Sequence, residues 1–215
     1  MIRVNHMKRR TVLKGSGLWA LEAMGAVRTI GAVGAALHAN AAQAQQATPT
    51  PGWSRLPEWA RAGGVMLIRH ASTEPGIGDP AHFTLGQCKT QRNLSAQGQE
   101  ESRRIGRWFK QQGLLVNAVR TSQWCRCQDT ARLAFDRYED WPALNSTFAG
   151  QGNPVQQIRE LRERLSQLPQ GVVEVWVTHQ VIMTALTQAY PSMAEGFWVN
   201  RQGTLLGRGM MLPKV

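Results

Sequence analysis

The chain has 215 residues, with 25 Lys and Arg against 14 Asp and Glu, and a net charge of +11. This length suits one domain, and a hydrophobic content of 42% is enough for a packed core, which excludes a disordered chain, a coiled coil and a collagen-like fibre. Three cysteines without C-x-x-C spacing argue against a small disulfide scaffold and a structural zinc site.

The first 44 residues have the layout of a secretory signal. A basic start at 8–10 (Lys-Arg-Arg) precedes a stretch rich in Gly and Ala, and small residues at 39–44 supply a cleavage site. The paired arginines resemble the bacterial twin-arginine export signal, so we expect the export machinery as a partner and a periplasmic or secreted location. Glu22 and Arg28 interrupt the apolar stretch. They weaken the signal, and they argue more strongly against a stable membrane span.

The positive charge of the chain lies partly in this predicted signal. Its 44 residues hold six basic side chains and one acid, which leaves +6 for the remaining 171 residues. Those charges are scattered, whereas a nucleic-acid binder needs a basic stripe with interleaved aromatics. We therefore expect no nucleic-acid partner, and a moderately positive surface suits an anionic small molecule.

Export would also allow the cysteines to oxidise. Cys88 would pair with Cys125 or Cys127, because two residues so close on a helix point in nearly opposite directions and only one of them would reach it. The alternative is three free, buried thiols.

Beyond the signal, apolar runs and helical periodicities alternate along the chain. We predict a linker over 45–63 and a domain over 64–215. Within the domain we predict strands at 65–68, 114–120, 172–177, 197–199 and 205–212, helices at 95–113, 123–137, 158–168 and 181–189, and a long loop at 71–94. Strands that alternate with helices predict an α/β fold, a three-layer sandwich with a mostly parallel central sheet and helices on both faces.

Basic side chains follow the predicted strands. Arg69 and His70 follow the first strand, Arg126 lies just beyond the second, and His179 follows the third. In an open parallel sheet these positions meet at one edge, where ligands bind. Forked guanidinium donors match phosphate oxygens, and a neutral imidazole can attack phosphorus. The sequence therefore predicts a phosphate site with no metal or other cofactor, since no cluster of carboxylates is visible.

Four motifs resemble the histidine phosphatase superfamily, which has the phosphoglycerate-mutase-like fold. Residues 67–71 (L-I-R-H-A) resemble its R-H-G/A signature, and 94–98 (L-S-A-Q-G) its helix start. Residues 121–131 (T-S-Q-W-C-R-C-Q-D-T-A) resemble its second arginine motif, and 177–179 (V-T-H) the motif with its second histidine. The motifs stand in family order across 65–190.

The resemblance implies a role for each matching residue. His70 would be the nucleophile that forms a phosphohistidine, Arg69 and Arg126 would clamp the phosphoryl oxygens, and His179 would donate to them. Thr73 matches a residue that lines the same pocket. The reaction would be a two-step, in-line phosphoryl transfer without metal.

The general acid is where the chain departs from the family. Ser146 stands where many relatives carry Glu, and a serine hydroxyl is no acid near neutral pH. Either Glu74 or Asp79, in the loop after the nucleophile, supplies the proton, or the leaving group needs none, as in a phosphohistidine or an acyl phosphate. Gln180 follows the second histidine and is a candidate substrate contact.

The resulting hypothesis is an exported phosphatase acting on a phosphomonoester, with an envelope sugar phosphate as the suggested substrate. The alternative is a catalytically silent phosphate-binding or interaction module of the same fold. His70 favours the enzyme, because binding alone needs no nucleophile at that position.

Overall fold

A computed structural model describes residues 50–213 of the chain. The predicted export signal, residues 1–44, lies outside the described residues. Among the helices that are described, none is long and apolar enough to cross a bilayer.

The described strands form one mixed sheet in the order β1-β7-β6-β2-β5-β3-β4. Their bounds are Thr50–Pro51 (β1), Gly64–Arg69 (β2), Ala118–Thr121 (β3), Glu139–Asp140 (β4), Val173–Thr178 (β5), Glu195–Asn200 (β6) and Leu205–Met210 (β7). The neighbours β2, β5, β3 and β4 are parallel, whereas β6 is antiparallel to both β2 and β7. A short turn joins β6 to β7, and such turns connect antiparallel strands.

Helices cover both faces of this sheet, which confirms the predicted α/β sandwich. Their bounds are Leu56–Ala62 (α1), Ala96–Gln111 (α2), Cys125–Phe135 (α3), Pro154–Gln167 (α4) and Gln180–Thr187 (α5). Successive side chains of a strand point to opposite faces, so β2 contributes to two hydrophobic clusters. In the first cluster, Met66 and Ile68 of β2 pack with side chains of α1, α2 and α3, among them Trp59, Ile105 and Ala131. In the second cluster, Val65 and Leu67 of β2 pack with side chains of α4 and α5, among them Leu161 and Ile182.

The segment predicted as a linker, 45–63, is partly structured. It contains α1, whose Leu56 and Trp59 are buried in the first cluster. Pro57 lies in the first helical turn, where the N–H that proline lacks would have no partner within the helix. Gly63 ends the helix with φ +86°. The proline and glycine that indicated a linker therefore mark the two ends of a helix.

Helix α2 begins as predicted, at Ser95, whose Oγ accepts a hydrogen bond from the Gly98 N–H at 3.1 Å. Gly98 is required by a close approach: a Cβ at this position would lie 1.8 Å from the carbonyl oxygen of Ser72. The start of α2 thus packs directly on the backbone that follows β2, which holds that backbone in place beside the sheet edge.

The loop over 71–94 is tied to the rest of the domain at two places. Thr73 pairs with Leu94 in an isolated β-bridge, so the two ends of the loop lie side by side. Near the far end, Cys88 forms a disulfide with Cys125 at the start of α3. Cys127 is buried and free, so the first of the two predicted pairings is the one present.

Candidate active site

The carboxyl ends of β2, β5 and β3 bring the two histidines and two arginines together. The ring centroids of His70 and His179 are 5.5 Å apart, and Arg126 Nη2 lies 3.4 Å from His179 Nδ1. With Arg69 these residues line one pocket of about 350 Å³. The parallel strands account for the arrangement, because each residue follows a strand that ends at the same edge.

His70 is held as a neutral imidazole with a free lone pair. Its Nδ1 lies 2.9 Å from the carbonyl oxygen of Ala71, so Nδ1 carries the proton and donates. Burial, and then the charge of Arg126, lower the pKa of His70 from 6.5 to about 3. At neutral pH the Nε2 atom therefore carries an unprotonated lone pair, which is what a nucleophile at phosphorus needs.

His179 is oriented by a chain of hydrogen bonds behind it. Arg126 Nη2 is a donor only, so His179 Nδ1 faces it as an acceptor and Nε2 carries the proton. Nε2 lies 2.8 Å from Ser122 Oγ, and the Ser122 hydroxyl lies 3.2 Å from Asn145 Oδ1. Burial first, then the charges of Arg126 and His70, lower the pKa of His179 well below its usual range. His179 is thus neutral before an anion enters.

Three guanidinium groups line the pocket, one more than the motifs predicted. Arg92, which sequence reasoning missed, lines it together with Arg69 and Arg126. The Nε atom of each of the three is buried and has no hydrogen-bond partner among the described residues. Buried N–H donors are rarely left unsatisfied. Burial, followed by the charges of Arg92 and Arg126, lowers the pKa of Arg69, and burial followed by the charge of Arg126 lowers that of Arg92. The pocket is prepared for an oxyanion.

The position of Arg92 in the sequence gives one indication that it lies at the pocket. Arg92 lies two residues before Leu94, where the motif that begins α2 starts. Because the β-bridge between Leu94 and Thr73 brings this end of the loop close in the chain to His70, a basic residue just before the motif falls at the pocket.

Asp79 lies in the pocket as an ion-pair partner. Its Oδ1 accepts from Arg126 Nη1 at 2.8 Å and from the Arg92 backbone N–H at 3.0 Å, and its Oδ2 accepts from Trp124 Nε1 at 3.1 Å. The Asp79 side chain is only 7% exposed. Three protein donors thus occupy both oxygens of this carboxylate, so in this arrangement Asp79 is held against Arg126, Trp124 and the Arg92 backbone.

The other predicted residues are placed less centrally. Glu74 is exposed, and its side chain does not line the pocket. Thr73 is half-buried outside the lining residues, and its Oγ1 has no hydrogen-bond partner among the described residues. Ser146, at the position of the missing glutamate, is buried and lines the pocket, and so does Gln180 at the start of α5.

The described residues contain no cluster of three or more His, Cys, Asp or Glu arranged to hold a metal ion. Within this part of the chain, the positive charge at the pocket comes from Arg69, Arg92 and Arg126.

Residues 65–165 match the family model of the histidine phosphatase superfamily, branch 1. This stretch is similar to a histidine phosphatase domain. It includes Arg69, His70, Arg92 and Arg126, and it confirms the resemblance read from the four motifs. His179 lies beyond the matched residues, on the strand edge that completes the pocket.

Solved structures with a similar fold are phosphatases by name. The protein histidine phosphatase SixA, complexed with tungstate, aligns with a TM-score of 0.50 at 18% identity, covering 68% of this chain and 96% of that one. The alpha-ribazole phosphatase from Shigella flexneri aligns with a TM-score of 0.49 at 16% identity, covering 70% and 98%. At 18% identity the likeness to SixA concerns the fold alone. No curated protein sequence matches this chain.

Proposed function

We propose that the domain is a metal-independent phosphatase that acts through a phosphohistidine on His70. The observation that carries the proposal is the state of His70: a buried imidazole with its Nδ1 proton bound to a carbonyl oxygen and Nε2 unprotonated, in a pocket lined by three guanidinium groups. A site that only bound phosphate would gain nothing from such a nucleophile.

The reaction follows from this geometry in two steps. The phosphoryl oxygens bind among Arg69, Arg92 and Arg126, the Nε2 lone pair of His70 attacks phosphorus, and the ester oxygen leaves with the bonding electrons. Water then attacks the phosphohistidine in line, and the imidazole of His70 leaves as phosphate forms. A bound dianion offsets the arginine charges that lower the pKa of His179, which favours its protonation and a hydrogen bond to the phosphoryl group.

The pocket lining offers no free carboxyl group to the leaving oxygen. Asp79 is the only acid among the described lining residues, and it is occupied by Arg126. A sugar phosphate of the cell envelope, the substrate suggested from the resemblance, would leave as an alkoxide, which is a strong base that needs a proton. The site is better suited to substrates whose leaving group departs unprotonated.

The test is hydrolysis of acetyl phosphate by the purified protein in the presence of EDTA. We expect turnover, and we expect His70→Ala to abolish it. The matched control is His82→Ala, because His82 is exposed in the loop over 71–94 and does not line the pocket. Turnover that requires an added metal, or that survives in His70→Ala, contradicts the mechanism.

A second candidate is the silent phosphate-binding or interaction module. It is favoured by the Asp79 carboxylate on Arg126 and by Ser146 in place of an acid. This module would bind inorganic phosphate and leave acetyl phosphate, phenyl phosphate and phosphohistidine peptides intact under the same conditions.

We also propose that the protein works outside the cytoplasm. The disulfide between Cys88 and Cys125 supports this location, because disulfides persist in oxidising compartments. Cell fractionation tests it: when the full chain is expressed, its mature form should be found in the periplasm or the medium, and replacing Arg9 and Arg10 by lysine should retain the protein in the cytoplasm. Equal distribution of both forms contradicts the proposal.

A further inference from the structure

The mouth of the candidate active site is apolar, in contrast to its cationic interior. Ile77 is 93% exposed and Phe148 is 50% exposed, although both are large hydrophobic side chains. Both line the same pocket as the two histidines, and the apolar part of that lining is completed by Ala149, Val181 and Met193.

Phe148 is positioned by its neighbours at this mouth. Its backbone N–H donates to Ser146 Oγ at 3.2 Å, so the ring follows closely on the residue that replaces the acid. A Cβ on Gly78 would lie 3.1 Å from the Phe148 ring, which shows that the ring packs against the Gly78 backbone. Ile77 precedes Gly78 in the same loop. The two exposed side chains thus border the opening from two segments of the chain.

An exposed apolar border beside a phosphate site favours a substrate with an apolar body. Burial of Ile77 and Phe148 against such a body removes hydrophobic surface from water. A flat aromatic ring gains more at this border than an aliphatic group, because offset or edge-to-face contact with the Phe148 ring adds to the burial.

The leaving-group chemistry points to the same class. Asp79, the one carboxylate among the described lining residues, is held by Arg126, Trp124 and the Arg92 backbone. A substrate must therefore lose its alcohol without a proton from a carboxyl group of this lining. A phenol, with a pKa of about 10 as in tyrosine, leaves as a far weaker base than an alkyl alkoxide.

We propose that this pocket selects phosphomonoesters of phenols, with the aryl ring between Ile77 and Phe148 and the phosphoryl group among the three arginines. This inference rests on the proposed function. As His70 Nε2 forms its bond to phosphorus, the bond between phosphorus and the aryl oxygen breaks. The phenolate leaves with the electron pair and takes a proton from water, and a second water molecule releases phosphate from His70.

The test compares kcat/KM for phenyl phosphate with that for cyclohexyl phosphate, which is close in size but leaves as an alkoxide. Acetyl phosphate, which has a good leaving group and no ring, is measured beside them. The wild-type protein should hydrolyse phenyl phosphate at least a hundredfold faster than cyclohexyl phosphate, on the order of the effect of one missing acid. Phe148→Ser and Ile77→Ser should each raise KM for phenyl phosphate about tenfold more than for acetyl phosphate.

Leu115→Ser is the matched control, since Leu115 is 79% exposed and lies outside this pocket. It should leave all three substrates unchanged. Hydrolysis of acetyl phosphate without preference for phenyl phosphate, or equal KM changes for both in the two variants, overturns the aryl specificity and leaves the phosphatase mechanism intact. Absence of turnover with all three substrates overturns both.

Discussion

At the scale of single residues, the protonation of two imidazoles decides what the site can do. His70 and His179 are both buried among arginines, and both have a lowered pKa. Each is neutral in the folded protein at pH values where the same residue in an unfolded chain is charged. This difference makes the fold sensitive to acid, and under the proposed mechanism the same neutral state provides the nucleophile.

The free energy of unfolding should therefore fall as the pH is lowered below about 6.5. In this range the two histidines bind protons in the unfolded chain but not in the folded protein. For His70, the loss of stability continues down to a pH of about 3. Each of the two histidines contributes a slope of about 1.4 kcal/mol per pH unit. Urea unfolding at pH 7, 6 and 5 measures how the free energy of unfolding depends on pH. His70→Ala should reduce the slope, and a free energy independent of pH contradicts these pKa directions.

Under the proposed mechanism, Asp79 and a bound phosphate would both contact Arg126. Asp79→Asn keeps one oxygen, which accepts from the Arg92 N–H or from Trp124 Nε1 but not in place of both carboxylate oxygens, and removes the charge that faces Arg126. We expect inorganic phosphate to inhibit this variant several-fold more tightly than the wild-type protein, because the guanidinium is freed for the anion. Titration of product inhibition measures the change. Unchanged inhibition, with a selective loss of rate on substrates with poor leaving groups, would instead identify Asp79 as the acid.

At the scale of elements, the disulfide fastens the functional loop to helix α3. Cys88 and Cys125 are 37 residues apart in the chain. Gln91 and Arg92 lie between them in the sequence. The Gln91 Oε1 accepts from the Cys125 N–H at 3.0 Å, and the Arg92 backbone N–H donates to Asp79. The bond therefore holds the part of the loop over 71–94 that carries Arg92 next to the helix that carries Arg126.

Replacing both cysteines by serine should lower the free energy of unfolding by about 2–4 kcal/mol, because the unfolded chain regains freedom. It should also weaken binding of inorganic phosphate, since Arg92 is no longer held at the pocket. Denaturant unfolding and phosphate inhibition measure the two effects. A dithiol reductant should reproduce both in the wild-type protein and leave the double variant unaffected. A double variant as stable as the wild type contradicts the role assigned to this bond.

At the scale of the whole molecule, the regular part of the fold was predictable and the loops were not. Buried apolar runs such as 65–68 and 172–177 identify parallel strands, and parallel strands imply that residues at their carboxyl ends meet. That argument places His70 and His179 in one pocket without coordinates. It uses only local patterns and one rule of sheet geometry, which is why it holds at the strand edges.

The path of an irregular segment depends on contacts distant in sequence, and no local pattern encodes them. Asp79 reaches Arg126 across 47 positions, and Arg92 reaches the pocket through the bridge between Thr73 and Leu94. Helix α1 was not predicted for another reason. Proline and glycine are typical of linkers, and here they stand at the two ends of a short helix. The apolar mouth at Ile77 and Phe148 likewise comes from two loops that only the folded chain brings together.

The most direct test of the central claim is to trap the intermediate. The purified protein is mixed with a substrate labelled on phosphorus, quenched within the first turnover, and digested under conditions that preserve phosphohistidine. We predict label on a single peptide containing His70, and none in His70→Ala. Turnover of the substrate with no label on His70 at any time would contradict the account.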